Sequence, residues 1–103
     1  MKLQDSSLFR QQCFIDGQWC DADRGETITV TNPANGTAIG TVPKMGSAET
    51  RNAIYAAERA QVAWRSITAK QRAVILRRWY ELILENQEDL AVLMTSEQGK
   101  PIS

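Results

Sequence analysis

Apolar residues recur every three to four positions through residues 47–98, whereas residues 13–43 hold short apolar runs separated by turn residues. The first spacing is that of one face of an α-helix, and the second is typical of short strands joined by hairpins. Residues 1–12 form a polar lead that contains one apolar pair, Leu8 and Phe9. The pattern therefore predicts an α+β chain, in which two N-terminal β-hairpins (13–43) precede three amphipathic helices (47–98).

The first hairpin is predicted from Asp16 and Gly17, which stand between two β-prone triplets. A two-residue type I′ turn requires a positive φ at both central positions, and Asp-Gly is a favoured pair for it. The turn sets the register of three cross-strand pairs: Ile15 with Gln18, Phe14 with Trp19, and Cys13 with Cys20.

The second hairpin is predicted from two segments, 27–31 and 38–42, which are rich in β-branched residues. Residues 32–36 between them carry the turn signals Asn-Pro and Asn-Gly. Pro43 lacks a backbone donor and is expected to end the second strand.

The helix boundaries are predicted from capping residues. Ser47 is the expected N-cap of the first helix, and Thr68 with Gln71 has the form of a capping box that opens the second. Asn86 is expected to cap the third helix, and Gly99 to end it in the left-handed conformation.

The apolar faces of the helices are expected to pack into a core. The first helix has a stripe of alanines that continues into Trp64 and Ile67. The second helix has a broader apolar face, with charged residues opposite. The residues of that face are Ile75, Leu76, Trp79, Leu82 and Ile83, and those opposite are Arg72, Arg77, Arg78, Glu81 and Glu85.

Composition excludes several kinds of site. The 103 residues include 12 Lys+Arg, 12 Asp+Glu, two cysteines and no histidine. The lack of histidine excludes Ser-His-Asp and Cys-His pairs within this chain, and two thiolates cannot close an all-cysteine zinc site. With no secretory signal and no apolar run near the roughly 20 residues that span a bilayer, we expect a cytoplasmic protein without a membrane partner.

Cys13 and Cys20 leave three interpretations open: a nucleophile, a redox pair, or packing residues. Inert packing thiols are favoured, because no helix N-terminus or neighbouring cation is apparent to activate a thiolate. The predicted register nevertheless places the two Cα atoms about 5.5 Å apart, within reach of a disulfide. A cytosolic environment would keep them reduced, and a strong oxidant could cross-link them.

Gly99 and Lys100 suggest a phosphate-binding loop, but Met94 and Pro101 stand where a Walker A motif needs glycine and Ser or Thr. A helix C-cap is the better interpretation. No G-x-G-x-x-G dinucleotide fingerprint occurs either.

Charge is uneven along the helices, since residues 51–80 are basic and residues 81–97 are acidic. The basic half is compatible with a small helix-turn-helix DNA-binding domain. The zero net charge favours a solvated face with local pairs such as Arg77 with Glu81 instead. A stand-alone helical interaction module is a second alternative from a different functional class.

Five ordered motifs resemble one family, the NAD(P)-dependent aldehyde dehydrogenases. The family patterns are I-[ND]-G-x-W, N-P-[AT]-x-G, A-x-x-x-W, R-x-x-x-L-R and E-x-G-K-P. The matching segments are residues 15–19, 32–36, 60–64, 72–77 and 97–101. The opening twelve residues are most similar to the bacterial branch of this family that oxidises succinate semialdehyde in 4-aminobutyrate degradation.

The resemblance implies that residues 1–103 are the N-terminal part of the cofactor domain of a longer α/β dehydrogenase. It implies an enzyme that oxidises succinate semialdehyde to succinate with NADP or NAD, and that acts as a homo-oligomer. The family's cysteine nucleophile, general-base glutamate, nucleotide contacts and oligomerisation strands lie beyond this segment. We therefore expect no catalytic, cofactor-binding or metal residue here, no nucleotide or nucleic acid bound, and no activity of this chain alone. Its expected partner is the rest of a dehydrogenase chain.

Overall fold

The computed structural model describes residues 1–103 as two β-hairpins followed by three helices. A 3₁₀ turn at Ser6–Leu8 precedes them. The strands are β1 (Cys13–Ile15), β2 (Gln18–Cys20), β3 (Thr27–Thr31) and β4 (Ala38–Pro43), and the helices are α1 (Ser47–Ser66), α2 (Ala69–Glu85) and α3 (Gln87–Gln98). The two hairpins remain separate two-stranded sheets. The α+β prediction is confirmed.

The β1–β2 hairpin has the predicted turn and register. Asp16 and Gly17 both have positive φ, at 52° and 76°, as a type I′ turn requires. Cys13 pairs with Cys20 at the open end of the hairpin. The rings of Phe14 and Trp19 lie 5.0 Å apart, so the predicted aromatic cross-strand contact is confirmed.

The β3–β4 hairpin is closed by a turn that asparagine side chains stabilise. Asn32 Oδ1 accepts from the Ala34 N–H at 2.9 Å, and Asn35 Oδ1 accepts from the Thr37 N–H at 3.0 Å. The ladder shifts by one residue between Val30 and Thr31, and Pro43 is the last residue of β4.

The first helix begins one residue earlier than predicted. Gly46 is the N-cap and Ser47 the first helical residue. Glu49 decides this boundary, because its Oε1 accepts from the Gly46 N–H at 2.7 Å. The Thr68–Gln71 capping box of α2 is confirmed, with reciprocal bonds of 2.9 and 3.1 Å.

The junction between α2 and α3 is tighter than expected. Asn86 is the residue before α3, as predicted, but its side chain donates backwards to the Leu82 carbonyl at 2.9 Å. It therefore caps the end of α2 rather than the start of α3. Arg72, expected on a solvated face, donates to the Ile67 carbonyl at 2.7 Å and thereby caps the end of α1.

The packed interior is very small. Only four residues are buried, and Ala22, Ala56 and Asp89 are among them. The radius of gyration is 16.6 Å, against about 13 Å for a compact chain of this length. The accessible surface is 8194 Å², whereas a compact monomer of this mass exposes about 5,800 Å². The chain thus leaves roughly 2,400 Å² uncovered that a folded monomer would bury.

Candidate functional site

Of the chemistry-bearing residues singled out in the sequence, the structure brings together only Cys13 and Cys20, which pair across the first hairpin. No three His, Cys, Asp or Glu residues lie close enough to hold a metal ion. Gly99 has a φ of 79° and its N–H donates to the Thr95 carbonyl at 2.9 Å, so the helix C-cap interpretation is confirmed. None of the helices has the length and apolar character needed to cross a bilayer.

The basic stretch is paired locally with the acidic one. Arg77 and Glu81 approach to 3.6 Å, which confirms the predicted i,i+4 pair. Arg78 reaches Glu81 at 3.6 Å and Glu85 at 3.4 Å. These side chains are exposed, so the pairs contribute little to stability, but they reduce the positive charge that a DNA-binding face would need.

The apolar face of α2 is not packed, contrary to the core-packing prediction for Trp79. No residue of α2 is buried. Trp79 is 63% exposed and Ile75 is 52% exposed. Leu76, Leu82 and Ile83 are exposed as well. The physical reason is that α2 packs mainly against α3, and no other part of the chain covers this face.

A second apolar surface runs along the C-terminal half of α1. It is a shallow groove of about 550 Å³. Its lining residues are Ala57, Ala60, Gln61, Ala63, Trp64 and Ile67. Small side chains let a neighbouring element approach the helix backbone closely, and nothing in this chain occupies the groove.

The N-terminal half of the same alanine stripe faces the β1–β2 hairpin. A cavity of about 320 Å³ lies between them, lined by Ile15 on the hairpin and by Ala53 and Ala56 on α1. Asp16 Oδ2 at the hairpin turn is 3.9 Å from Arg59 Nη2. The hairpin is thus the element of this chain that comes nearest to the stripe.

The candidate functional site is therefore a pair of uncovered apolar surfaces, the α2 face and the α1 groove. Exposed apolar area of this extent is typical of protein interfaces. The roughly 2,400 Å² of excess exposed surface, taken over the whole chain, exceeds the roughly 800 Å² that each partner buries in a standard interface.

A polar anchor that the sequence pattern did not predict holds the N-terminal segment in place. Asp89 lies in the acidic stretch 81–97 and is nevertheless only 6% exposed. Its two oxygens accept from the Gln4 and Asp5 backbone N–H groups, both at 2.8 Å. The one sequence signal for an inward position is the four-residue spacing between Asp89 and Leu93, which places the two on the same side of α3.

Two carboxylates have lowered pKa values because backbone groups donate to them. The Ser7 hydroxyl and backbone N–H lower the pKa of Asp5. The N–H groups of Gly46 and Asp23 lower the pKa of Glu49. Asp5 stabilises the 3₁₀ turn and Glu49 stabilises the start of α1. Neither carboxylate lies on the uncovered faces.

Known proteins of similar sequence are dehydrogenases that act on aldehydes. The model of the aldehyde dehydrogenase family matches residues 19–103. The chain is 65% identical, over all of its 103 residues, to a glutarate-semialdehyde dehydrogenase of Pseudomonas putida. It is 64% identical to an NADP(+) succinate-semialdehyde dehydrogenase of Escherichia coli, again over its whole length.

The backbone matches as closely as the sequence. A solved structure of an NADP-dependent enzyme from Escherichia coli superimposes with a TM-score of 0.95 at 64% identity, and 98% of this chain is covered. The chain spans 21–22% of the length of these relatives.

Proposed function

The chain belongs to the aldehyde dehydrogenase family, and we propose that it forms the N-terminal part of the cofactor domain of a cytoplasmic semialdehyde dehydrogenase. The observation that carries this proposal is the uncovered α2 face. A chain that keeps a dehydrogenase backbone with a TM-score of 0.95 exposes Trp79, which would otherwise belong to a core. The rest of a dehydrogenase polypeptide is the surface that fits it.

The proposed reaction is oxidation of succinate semialdehyde to succinate with NADP or NAD, within 4-aminobutyrate degradation. The Escherichia coli relative, whose name gives both succinate semialdehyde and NADP(+), supports it. Glutarate semialdehyde is the second candidate substrate, because the Pseudomonas putida relative is 65% identical. Both substrates are named as semialdehydes of dicarboxylic acids, so the two candidates share one reaction class.

We assign no catalytic, cofactor-binding or metal-binding role to residues 1–103. The proposed role of the segment is architectural: the α2 face and the α1 groove receive the remainder of the dehydrogenase, which supplies the nucleophile, the general base and the nucleotide contacts. We also propose that the complete enzyme is a homo-oligomer. The family resemblance supports these assignments, and neither Cys13 nor Cys20 is a residue of the α2 face or of the α1 groove.

A chimera tests the proposal. Residues 1–103 replace the equivalent segment of the Escherichia coli succinate-semialdehyde dehydrogenase, and NADPH formation is followed with succinate semialdehyde. We expect the chimera to be active and residues 1–103 alone to be inactive. Turnover by the isolated chain after rigorous removal of host enzymes would contradict the architectural role. A folded but inactive chimera would contradict the fit of the two faces.

The kcat/KM ratio for the two semialdehydes, measured on a full-length dehydrogenase that carries this segment, separates the two candidate substrates. We expect the higher value for succinate semialdehyde. A higher value for glutarate semialdehyde establishes the second candidate.

An autonomous interaction module is the functional alternative that the exposed faces also support. A fragment of a larger fold should bind a dye specific for exposed apolar surface and melt broadly, because it buries too little surface for a cooperative transition. A sharp two-state melt without dye binding would favour the module instead.

A further inference from the structure

The β1–β2 hairpin places two cysteines directly opposite each other. Cys13 and Cys20 form its outermost pair, and both are half-buried. Counted outward from the two-residue turn, this pair is a hydrogen-bonded one, with Cα atoms about 5.5 Å apart. Disulfides form across Cα separations of about 4.4–6.8 Å. The Cα separation is therefore compatible with a disulfide, whereas the Cβ atoms of a hydrogen-bonded pair, at about 5.5 Å, must come about 1 Å closer for the bond to form.

The surroundings of the pair keep the two strands together beyond the ladder. Gln12 Nε2 donates to Asp21 Oδ1 at 3.1 Å, one residue outside the cysteines on each strand. The Cys20 thiol donates to the Gln18 carbonyl oxygen at 3.5 Å, a weak contact that a side-chain rotation can break. Closing a bond between the sulfurs thus calls for rotation of the side chains and a local adjustment of the two strand ends.

We propose that Cys13 and Cys20 are an oxidation site, a dithiol that a hydroperoxide converts reversibly into an intrachain disulfide. One thiolate attacks the peroxide O–O bond, so its sulfur becomes a sulfenic acid and the other oxygen leaves as water or an alcohol. The second thiol attacks that sulfur and expels water. The two sulfurs lose two electrons and two protons in total, the peroxide is reduced, and a dithiol reductant reverses the step.

The bond has a structural consequence for the surface next to it. The hairpin faces α1 across a cavity, and Asp16 Oδ2 at its turn is 3.9 Å from Arg59 Nη2. A covalent link across its open end fixes the hairpin in the conformation that makes this contact. The site is independent of the dehydrogenase role, since it uses no residue of the α2 face or the α1 groove.

The experiment uses the whole chain at low concentration, treated with hydrogen peroxide. We expect both free thiols to disappear, the monomer mass to fall by two hydrogen atoms, and dithiothreitol to restore both. Cys13→Ser and Cys20→Ser should each prevent the mass loss. Persistent thiols, cross-linked dimers, or oxygen added separately to each cysteine would overturn the proposal.

A turn variant tests whether the hairpin geometry is responsible. Gly17 and Gly25 both have positive φ, at 76° and 70°, and a Cβ added at either meets nothing within 4 Å. Gly17→Ala disfavours the hairpin turn, so the disulfide should form about fivefold more slowly. Gly25→Ala imposes the same backbone penalty outside the hairpin and should leave the rate unchanged. Equal rates in the two variants would contradict the assignment.

Discussion

The N-terminal segment and α2 differ in how they are held to the rest of the chain. Residues 1–12 are polar, yet they are tied to distant parts of the chain: Gln4 and Asp5 to Asp89, and Gln11 to Thr41 through a 2.9 Å bond. Helix α2 is rich in apolar residues, yet none of them is buried. The segment with fewer hydrophobic residues is thus the better anchored within this chain.

The N-terminal segment makes its contacts within this chain, whereas the α2 face has apolar side chains that no part of this chain contacts. Directed hydrogen bonds fix the N-terminal segment without a core. The α2 face consists of apolar side chains, which stabilise a fold in proportion to the apolar area removed from water. Within this chain very little of that area is removed from water, because no residue of α2 is buried.

The largest effect within the chain is expected at Asp89. Asp89→Ala removes the acceptor of two backbone N–H groups, and the loss should destabilise the fold by about 2–3 kcal/mol. The amides of Gln4 and Asp5 should then exchange rapidly with deuterium. Glu88→Ala is the matched control, because Glu88 accepts only one exposed bond, from the Gln4 side chain at 3.2 Å. Unchanged exchange in Asp89→Ala would show that the segment is held by other contacts.

A somewhat smaller effect is expected where the N-terminal segment crosses β4. A Cβ at Gly40 would lie 2.6 Å from Gln11 Oε1 and 2.7 Å from Phe9 Cζ. Gly40→Ala should therefore move the Gln11 and Phe9 side chains, break the Gln11–Thr41 bond and lower the free energy of unfolding by about 1 kcal/mol. The control is the same substitution in a Phe9→Ala, Gln11→Ala background, where the two contacting side chains are absent. Denaturant unfolding of the chimera with the Escherichia coli enzyme measures both, and equal stability losses would contradict the close approach.

The smallest effect is expected at Glu49 and depends on pH. Since hydrogen bonding lowers the pKa of Glu49 in the folded state, its contribution is present at neutral pH. It is lost as the pH falls from the ordinary glutamate range through the lowered pKa. Glu49→Gln should therefore be less stable than the parent at neutral pH, with the gap narrowing in acid. Glu58→Gln, on an exposed position of the same helix, should show no such convergence. A gap for Glu49→Gln that does not change with pH would contradict the account.

Features encoded by neighbouring residues were predictable from the sequence. The Asp16–Gly17 turn and the Thr68–Gln71 capping box depend on contacts within four residues, so the sequence pattern contains all of their determinants. The predicted start of α1 was wrong by one residue. Ser47 is a favoured N-cap residue, but the Glu49 carboxylate accepts from the Gly46 N–H, and Gly46 is therefore the N-cap.

The missed features depend on contacts across the chain or beyond it. Asp89 meets Gln4 and Asp5 across 84–85 positions of sequence, and no local pattern encodes that distance. The spacing around Trp79 correctly indicated an apolar face, but periodicity identifies a face and not the element that covers it. Whether the α2 face is covered depends on the fold of the whole chain, and the structure shows that it is not.

One pair of substitutions on α2 tests the central claim most directly. Trp79 and Val74 are comparably exposed, at 63% and 65%. Val74, however, has Arg77 and Arg78 three and four positions on, and so lies on the charged side of the helix.

Each residue is replaced by Asp. The helix content of the isolated chain is measured by circular dichroism, and the free energy of unfolding is measured in the chimera with the Escherichia coli enzyme. In the isolated chain both substitutions should leave the helix content nearly unchanged. In the chimera, Trp79→Asp should cost about 3–5 kcal/mol while Val74→Asp stays near zero. Equal, small effects of the two substitutions in the chimera would contradict the claim that the α2 face is an interface completed by the rest of a dehydrogenase.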